Sequence, residues 1–109
     1  MRVGLVRVSG RSMRPTLLDG DRLLVEYDAV PRPGDLAVVR LPGRGTAYPP
    51  AVKRVLRREP EGWWVERDNP AEGVDSWSAG AVPDLDVVAV VRARLWPIRR
   101  GRLRPRVRD

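Results

Sequence analysis

Glycine and proline recur along the whole chain and leave little room for long helices. The 109 residues include eleven prolines and ten glycines. Proline lacks a backbone donor and clashes inside a helix, and glycine lowers helix stability. Between these residues lie short runs rich in valine and leucine, which is typical of strands joined by turns. The sequence therefore predicts a mostly β fold with short helical turns at most.

Six runs of alternating or continuous apolar character are the predicted strands. They are Val3–Val8, Arg22–Tyr27, Leu36–Arg40, Ala51–Arg57, Trp63–Glu66 and Val87–Leu95. Glu59–Gly62 is predicted to form a tight connection, and Thr16–Asp19 a single helical turn. Arg67–Asp86 is long and rich in glycine, proline and aspartate, so we expect an ordered functional loop there.

The length of the chain fits one small domain. With 42% hydrophobic residues, a chain of 109 residues can bury a single core. We expect this core at residues 1–96, followed by a basic, arginine-rich tail at residues 97–109. No run of about 18 apolar residues occurs, and the N-terminus lacks the pattern of a secretory signal. We therefore expect no transmembrane anchor and a cytoplasmic location.

Arginine supplies nearly all of the positive charge. The net charge is +7 and the pI is near 11.3. A tail this basic favours contact with nucleic acid or with an anionic membrane surface. No aromatic residue is interleaved with its arginines, however, and no nucleic-acid-binding fold is apparent. We predict no nucleic-acid partner and at most weak contact between the tail and a membrane surface.

The residue types present exclude several kinds of active site. The chain has no histidine and no cysteine, so a Ser-His-Asp triad and a thiol nucleophile are both excluded. Zinc and iron–sulfur sites lose their usual ligands for the same reason. Four acidic residues in turn-forming sequences are interpreted as loop-bracing groups: Asp21, Asp35, Asp68 and Asp75. We predict no metal and no cofactor.

Lys53 is the only lysine among 21 basic residues, and all the others are arginine. Arginine stays charged in proteins, whereas a desolvated lysine can lose its proton and act as a general base. Strand alternation places Lys53 on the same face as Ala51 and Val55. Burial on such an apolar face lowers the pKa of an amine toward the range in which a base works.

A candidate nucleophile lies 41 positions upstream, at Ser12. This serine follows the first predicted strand and Gly10, and Pro15 stiffens the loop just after it. Serine becomes a good nucleophile only when an adjacent base takes its proton. Lys53 and the carboxylates are the side chains left to do so, and the apolar surroundings favour the lysine.

Four motifs, in order, resemble those of signal peptidase I and its relatives. They are Ser12–Leu17 with Gly20 and Asp21, Arg32–Val39, Val52–Val55, and Asp68–Pro70 with Asp75, Ser76 and Gly80. The resemblance implies a small signal-peptidase/repressor-type β fold and a serine endopeptidase with a Ser12/Lys53 dyad. It also implies an oxyanion hole at the Ser12 backbone N–H. Substrate binding or bracing of the site is implied for Met13, Asp75 and Ser76.

Four positions depart from that family's pattern. They are Arg67 in place of glycine, Gly73 in place of serine, Trp77 in place of arginine, and Gly10, which has no hydroxyl to add to an oxyanion hole. Because the serine that can bond the lysine is missing, Lys53 would be oriented by Ser76, Ser78, a backbone carbonyl or water.

The resemblance implies a substrate as well as a reaction. We expect a protein precursor, bound as an extended peptide, that loses an N-terminal leader. The alternatives are an anchorless or truncated signal peptidase that cleaves secretory signal peptides, and a self-cleaving repressor-like or non-enzymatic relative. A repressor carries a DNA-binding domain before the serine, and about eleven residues precede Ser12 here, so the endopeptidase is favoured.

Overall fold

Six antiparallel strands form one sheet in the computed structural model, which describes residues 1–45, 48–97 and 103. The strands are β1 (Val3–Arg7), β2 (Arg22–Tyr27), β3 (Leu36–Val39), β4 (Ala51–Glu59), β5 (Gly62–Glu66) and β6 (Val87–Trp96). Their order across the sheet is β1-β2-β6-β3-β4-β5. The described residues also include one short helix, α1 (Ser76–Ala79), and a 3-10 turn at Asp84–Asp86. The predicted mostly β fold class is confirmed.

The predicted strands are all present, with differences at their ends. Strand β4 continues to Glu59, because Glu59 pairs with Gly62 across a two-residue turn. The helical turn after β1 lies earlier than the predicted Thr16–Asp19, since the Leu17 amide bonds the Met13 carbonyl. Helix α1 was not predicted as a separate element. At four residues it is too short to show a helical period in the sequence.

Strand β3 is buried on both faces and lies between two apolar clusters. The first cluster consists of Val8, Met13, Leu17, Leu23, Val25, Leu36, Val38, Ala89 and Val91, and the second of Ala37, Val39, Val55, Trp63, Val65 and Val82. Successive side chains of a strand point to opposite faces. The four residues of β3 therefore alternate between the two clusters, which explains why every position of this strand is apolar.

The sheet curls far enough for β1 and β4 to line the same cleft, although three strands lie between them. Register shifts occur between β2 and β6, between β3 and β6, and between β4 and β5. Bulges of this kind increase the local twist of a sheet. The curvature brings the loop after β1 next to the start of β4, and the candidate site lies there.

The predicted basic tail lies outside the described residues except for Pro97 and Leu103. The Leu103 side chain is half-buried against the first cluster, and its carbonyl accepts a hydrogen bond from Arg54. Among the described residues, no helix has the length and apolar character needed to cross a membrane.

Candidate active site

Ser12 lies in the loop between β1 and β2, and hydrogen bonds within the loop hold its shape. The Leu17 amide donates to the Met13 carbonyl at 2.9 Å. The Gly10 amide donates to the Asp19 carboxylate, also at 2.9 Å. Met13 is only 2% exposed and anchors the loop in the first cluster. These contacts fix the path of the loop on which the half-buried Ser12 lies.

Lys53 lies near the start of β4, with its amine directed at this loop. Its Nζ atom donates a hydrogen bond to the Ser12 Oγ atom at 2.9 Å. In the sheet it pairs with Ala37, a member of the second cluster, and the residue is only 3% exposed. The structure therefore brings together the two residues that sequence reasoning chose as nucleophile and base.

Burial lowers the pKa of the Lys53 amine from 10.5 to about 8. Removal from water is the main cause, because it penalises the charged form. The Asp75 carboxylate opposes this change and raises the pKa, whereas the positive charges of Arg67 and Arg44 lower it further. The net effect brings the ionisation of Lys53 close to physiological pH.

A cleft of about 350 Å³ opens beside the pair. Its walls come from the end of β1 and the Ser12 loop, from the loop between β3 and β4 with the start of β4, and from Gly73 and Val74. Small and medium apolar residues form much of this lining, among them Val6, Val8, Pro49, Ala51, Val52 and Val74. Ser12 and Lys53 line the same cleft, so a chain bound there would meet the hydroxyl directly.

The backbone N–H of Ser12 is available to a ligand in this cleft. Among the described residues it makes no hydrogen bond, whereas the Ser12 carbonyl accepts one from the Asn69 amide at 2.8 Å. A free backbone donor next to a nucleophile is the usual component of an oxyanion hole. The predicted use of this N–H stays a prediction, since its role depends on where a substrate carbonyl would lie.

Met13, Asp75 and Ser76 all make bracing contacts around the pair. The Met13 sulfur accepts the Asp68 N–H at 3.4 Å, and Met13 also lines the cleft. The Asp75 carboxylate caps α1 by accepting the Trp77 N–H at 3.1 Å. The buried Ser76 hydroxyl accepts the Val65 N–H at 2.9 Å, which ties α1 to β5.

The hydroxyls proposed to orient Lys53 have other partners. Ser76 bonds to the backbone of β5, and the Ser78 hydroxyl donates to the Asp75 carbonyl at 3.4 Å. Within the described part of the chain, the hydrogen-bond partner of the Lys53 amine is Ser12 itself. Orientation of the lysine therefore depends on the position of the Ser12 loop.

A buried ion pair between Arg54 and Asp68 supports the Ser12 loop. The Arg54 guanidinium bonds the Asp68 carboxylate at 2.8 Å, and the Arg54 side chain is only 8% exposed. Asp68 also accepts the Thr16 hydroxyl at 2.6 Å. Arg54 further donates to the carbonyls of Gly34 and Leu103. This network joins the start of β4 to the Ser12 loop.

Sequence reasoning did not identify the residues that hold the Ser12 loop from the side of Asn69 and Gly73. The Asn69 side chain donates to the Arg11 carbonyl at 2.9 Å, and the Asn69 amide donates to Ser12. Gly73 lies against the Ser12 side chain. The motif Asp68–Pro70, which contains Asn69, was a sequence signal that this segment belongs to the candidate site. Its contacts with a loop more than fifty residues away were not readable from local patterns.

The fold and the paired serine and lysine are those expected of a peptidase-type protein. Residues 2–92 match the Peptidase S24-like family. Because the match covers most of the chain, this protein belongs to the Peptidase S24-like family. The resemblance to signal peptidase I and its relatives is thereby confirmed at the level of an S24/signal-peptidase-I-like relationship. No curated protein matches the chain in sequence.

Proposed function

We propose that this protein is a serine endopeptidase in which Ser12 is the nucleophile and Lys53 the general base. The observation that carries the proposal is the 2.9 Å contact between a serine hydroxyl and a buried amine on the wall of an open cleft. Such a pair provides a nucleophile and a base without histidine, which this chain lacks.

The lowered pKa gives the base a useful neutral population. At pH 7, a group with a pKa near 8 is neutral in about a tenth of the molecules. At the ordinary pKa of 10.5 the neutral fraction would be about three in ten thousand. Burial therefore increases the reactive form by roughly three hundredfold at this pH. Arginine at the same position would provide no neutral form at all.

In the proposed reaction, neutral Lys53 takes the Ser12 proton as the Ser12 oxygen attacks the carbonyl carbon of the scissile peptide. The Ser12 backbone N–H stabilises the negative oxygen that forms. The Lys53 ammonium then protonates the leaving amine, and the acyl group stays on Ser12 as an ester. Water, deprotonated by Lys53, hydrolyses the ester and restores both side chains.

An extended peptide is the substrate that this cleft favours. Strand β1 lies at the edge of the sheet and pairs only with β2 in the described structure. The Tyr27 amide bonds the Arg2 carbonyl, and the Val8 amide bonds the Asp21 carbonyl, so even-numbered residues of β1 face β2. Odd-numbered residues direct their backbone groups away from β2. The N–H and C=O groups of these residues lie along the strand up to the Ser12 loop, and they can pair with a substrate strand.

The specific reaction we propose is removal of an N-terminal leader from a precursor protein, and the precursor of nickel-type superoxide dismutase is the first candidate. Within the signal-peptidase-like group, the sequence Trp63-Trp64-Val65 followed by Asp68-Asn69-Pro70 resembles the maturation protease of that enzyme. The small apolar lining of the cleft favours small side chains just before the cut. A secretory precursor is the alternative substrate.

Substitution of the pair tests the proposal. Ser12→Ala and Lys53→Arg are each expected to reduce kcat on the matched precursor at least a thousandfold, because both groups act as one unit. Arg92→Lys, an exchange of basic residues on the exposed face of β6, serves as the control and should retain full activity. Wild-type kcat should rise through an ionisation near pH 8, at which Lys53 becomes neutral.

Three results would decide against the proposal or its details. Substantial activity in Lys53→Arg would remove the lysine from the mechanism. Cleavage of a secretory precursor but not of the dismutase precursor would favour an anchorless signal peptidase. Cleavage only within the protein's own chain would point to a self-processing relative. Mass spectrometry of the product ends distinguishes these outcomes.

A further inference from the structure

Gly73 lies in direct contact with the side chain that carries the nucleophile. A Cβ atom built on Gly73 would lie 2.5 Å from the Ser12 Cβ atom, closer than the 3.0 Å below which real Cβ atoms are essentially not found. The backbone of Gly73 has φ +107°, a conformation that residues with side chains rarely adopt. The peptide backbone at this position is therefore the wall against which Ser12 rests.

Arg67 closes the loop that carries this wall. Its Nη1 atom donates to the Asp75 carboxylate at 3.2 Å. Its Nε and Nη2 atoms each donate at 3.1 Å, to the carbonyls of Asn69 and Pro70 respectively. One guanidinium thus ties three points of residues 67–75 together. The Arg67 Cδ atom would also lie 3.5 Å from a Cβ atom at Gly73, so the arginine packs behind the glycine.

Two of the positions that depart from the signal-peptidase pattern therefore meet in space. Arg67 stands where glycine is expected, and Gly73 stands where serine is expected. A serine at position 73 would overlap Ser12, and a glycine at position 67 would remove all three guanidinium bonds. The glycine at position 73 and the arginine at position 67 therefore act together: the first makes room for Ser12, and the second holds the loop that contains the glycine.

We infer that Gly73 and Arg67 are positioning residues of the Ser12/Lys53 reaction: the bare backbone of Gly73 sets the place of the Ser12 hydroxyl, and the Arg67 guanidinium holds that backbone in place. The inference rests on the proposed function. It also explains how Lys53 is oriented although position 73 has no hydroxyl to bond it. Gly73 positions Ser12, and Ser12 orients Lys53 through the hydrogen bond between them.

The charge of Arg67 has a second effect on the same site. The charged groups that act on Lys53 are Asp75, Arg67 and Arg44. The positive charge of Arg67 lowers the pKa of the Lys53 amine, while the Asp75 carboxylate raises it. Loss of the charge at position 67 would therefore raise the pKa of Lys53 and move the activity profile to higher pH.

Gly73→Ala tests whether the backbone of Gly73 sets the position of Ser12. The added methyl group must displace Ser12, and a displacement of about 1 Å can reduce a rate about a hundredfold. We expect kcat to fall by about that factor with little change in KM, and the Ser12 Oγ to Lys53 Nζ distance to exceed 3.5 Å in a crystal structure of the variant. Gly80→Ala is the matched control, because Gly80 has φ +88° but nothing within 4 Å of its Cβ position. It should share any loss of thermal stability and keep kcat.

Arg67→Gln and Arg67→Lys separate geometry from charge. Both remove the three-point tie and should lower kcat at least tenfold. Only the glutamine variant should raise the pKa of Lys53. In the wild type and in Arg67→Gln, Lys53 is the only lysine, so lysine labelled with ¹³C at Cε gives one side-chain NMR signal, and its titration reads that pKa directly. Arg67→Lys adds one further signal, from position 67, and the signal it shares with the wild type is that of Lys53. Arg92→Gln, which removes a remote charge, should leave the titration unchanged.

The two proposals fail in different ways. If Gly73→Ala keeps the wild-type kcat and the 2.9 Å contact between Ser12 and Lys53, the positioning inference is overturned while the dyad stands. An unchanged Lys53 titration in Arg67→Gln would overturn the electrostatic part. If the wild-type protein cleaves no precursor, the proposed function fails, and the crystal and NMR measurements still decide whether positions 67 and 73 set the geometry of the pair.

Discussion

Burial of Lys53 lowers the stability of the folded protein and, at the same time, favours the neutral amine that the proposed reaction needs. The folded protein keeps this amine 3% exposed, so its protonated form bears a desolvation cost that the unfolded chain does not have. The folded pKa is about 8 and the unfolded value about 10.5. Below pH 8 both states hold the proton, and the cost is present in full. As the pH rises from 8 to 10.5, the folded state releases its proton first and the cost disappears.

Lys53→Met should therefore make the folded protein more stable near neutral pH while abolishing the proposed activity. A pKa difference of this size corresponds to about 3 kcal/mol in the free energy of unfolding. The gain should be largest below pH 8 and shrink toward pH 10. Urea unfolding at pH 7 and pH 9.5 measures it, with Arg92→Met as a control on the surface. A loss of stability in Lys53→Met at pH 7 would contradict the desolvation argument.

At the scale of elements, the proposed function assigns the edge strand β1 the binding of an extended substrate. Its odd-numbered residues direct their backbone groups away from β2, and the strand ends at the loop that carries Ser12. A peptide that paired with this edge would run toward Ser12 in an extended conformation. Strand pairing uses the N–H and C=O groups of alternate residues of the added strand.

We expect N-methylation of the substrate peptide to reduce cleavage with a period of two residues. Methylation of an amide that bonds to β1 removes a donor and should lower kcat/KM at least tenfold. Methylation of the next amide along the peptide, which points away from β1, should have a much smaller effect. A series of peptides methylated at successive positions before the cut measures this. An equal loss at every position, or no loss, would argue against pairing with β1.

At the scale of the whole molecule, contacts far apart in the chain converge on one loop. Arg54 links β4 to Asp68 and to the Leu103 carbonyl, and Asp68 in turn holds Thr16. The Leu103 side chain packs against the same apolar cluster that anchors Met13. Leu103 thus contributes to the core beneath the candidate site, although the sequence predicts that the core ends at residue 96 and is followed by a basic tail.

Leu103→Ala should lower the free energy of unfolding by about 1 kcal/mol, because the side chain is half-buried and its removal exposes part of the first cluster. Leu85→Ala is the matched control, since Leu85 is 96% exposed and should change stability by less than about 0.5 kcal/mol. Thermal and urea unfolding of both variants measure the difference. Equal stability of the two variants would show that the contact of Leu103 with the core contributes nothing.

Several features of this protein were decided by local sequence. The alternation in Arg22–Tyr27 and the continuous apolar run of Leu36–Val39 predict strands, because side chains of a strand alternate and a strand buried on both faces needs apolar residues throughout. The absence of histidine and the single lysine by themselves narrow the candidate base to Lys53 and the carboxylates.

Only the tertiary structure decided how the candidate site is held together. The contacts of Ser12 with Asn69 and Gly73 cross more than fifty residues of sequence and involve backbone atoms, which leave no pattern in side-chain types. The value of about 8 for the pKa of Lys53 likewise depends on packing and on the charges of Arg67 and Asp75 around it. Local periodicity determines which segments become strands, whereas the bulges and curvature of the whole sheet determine which loops meet.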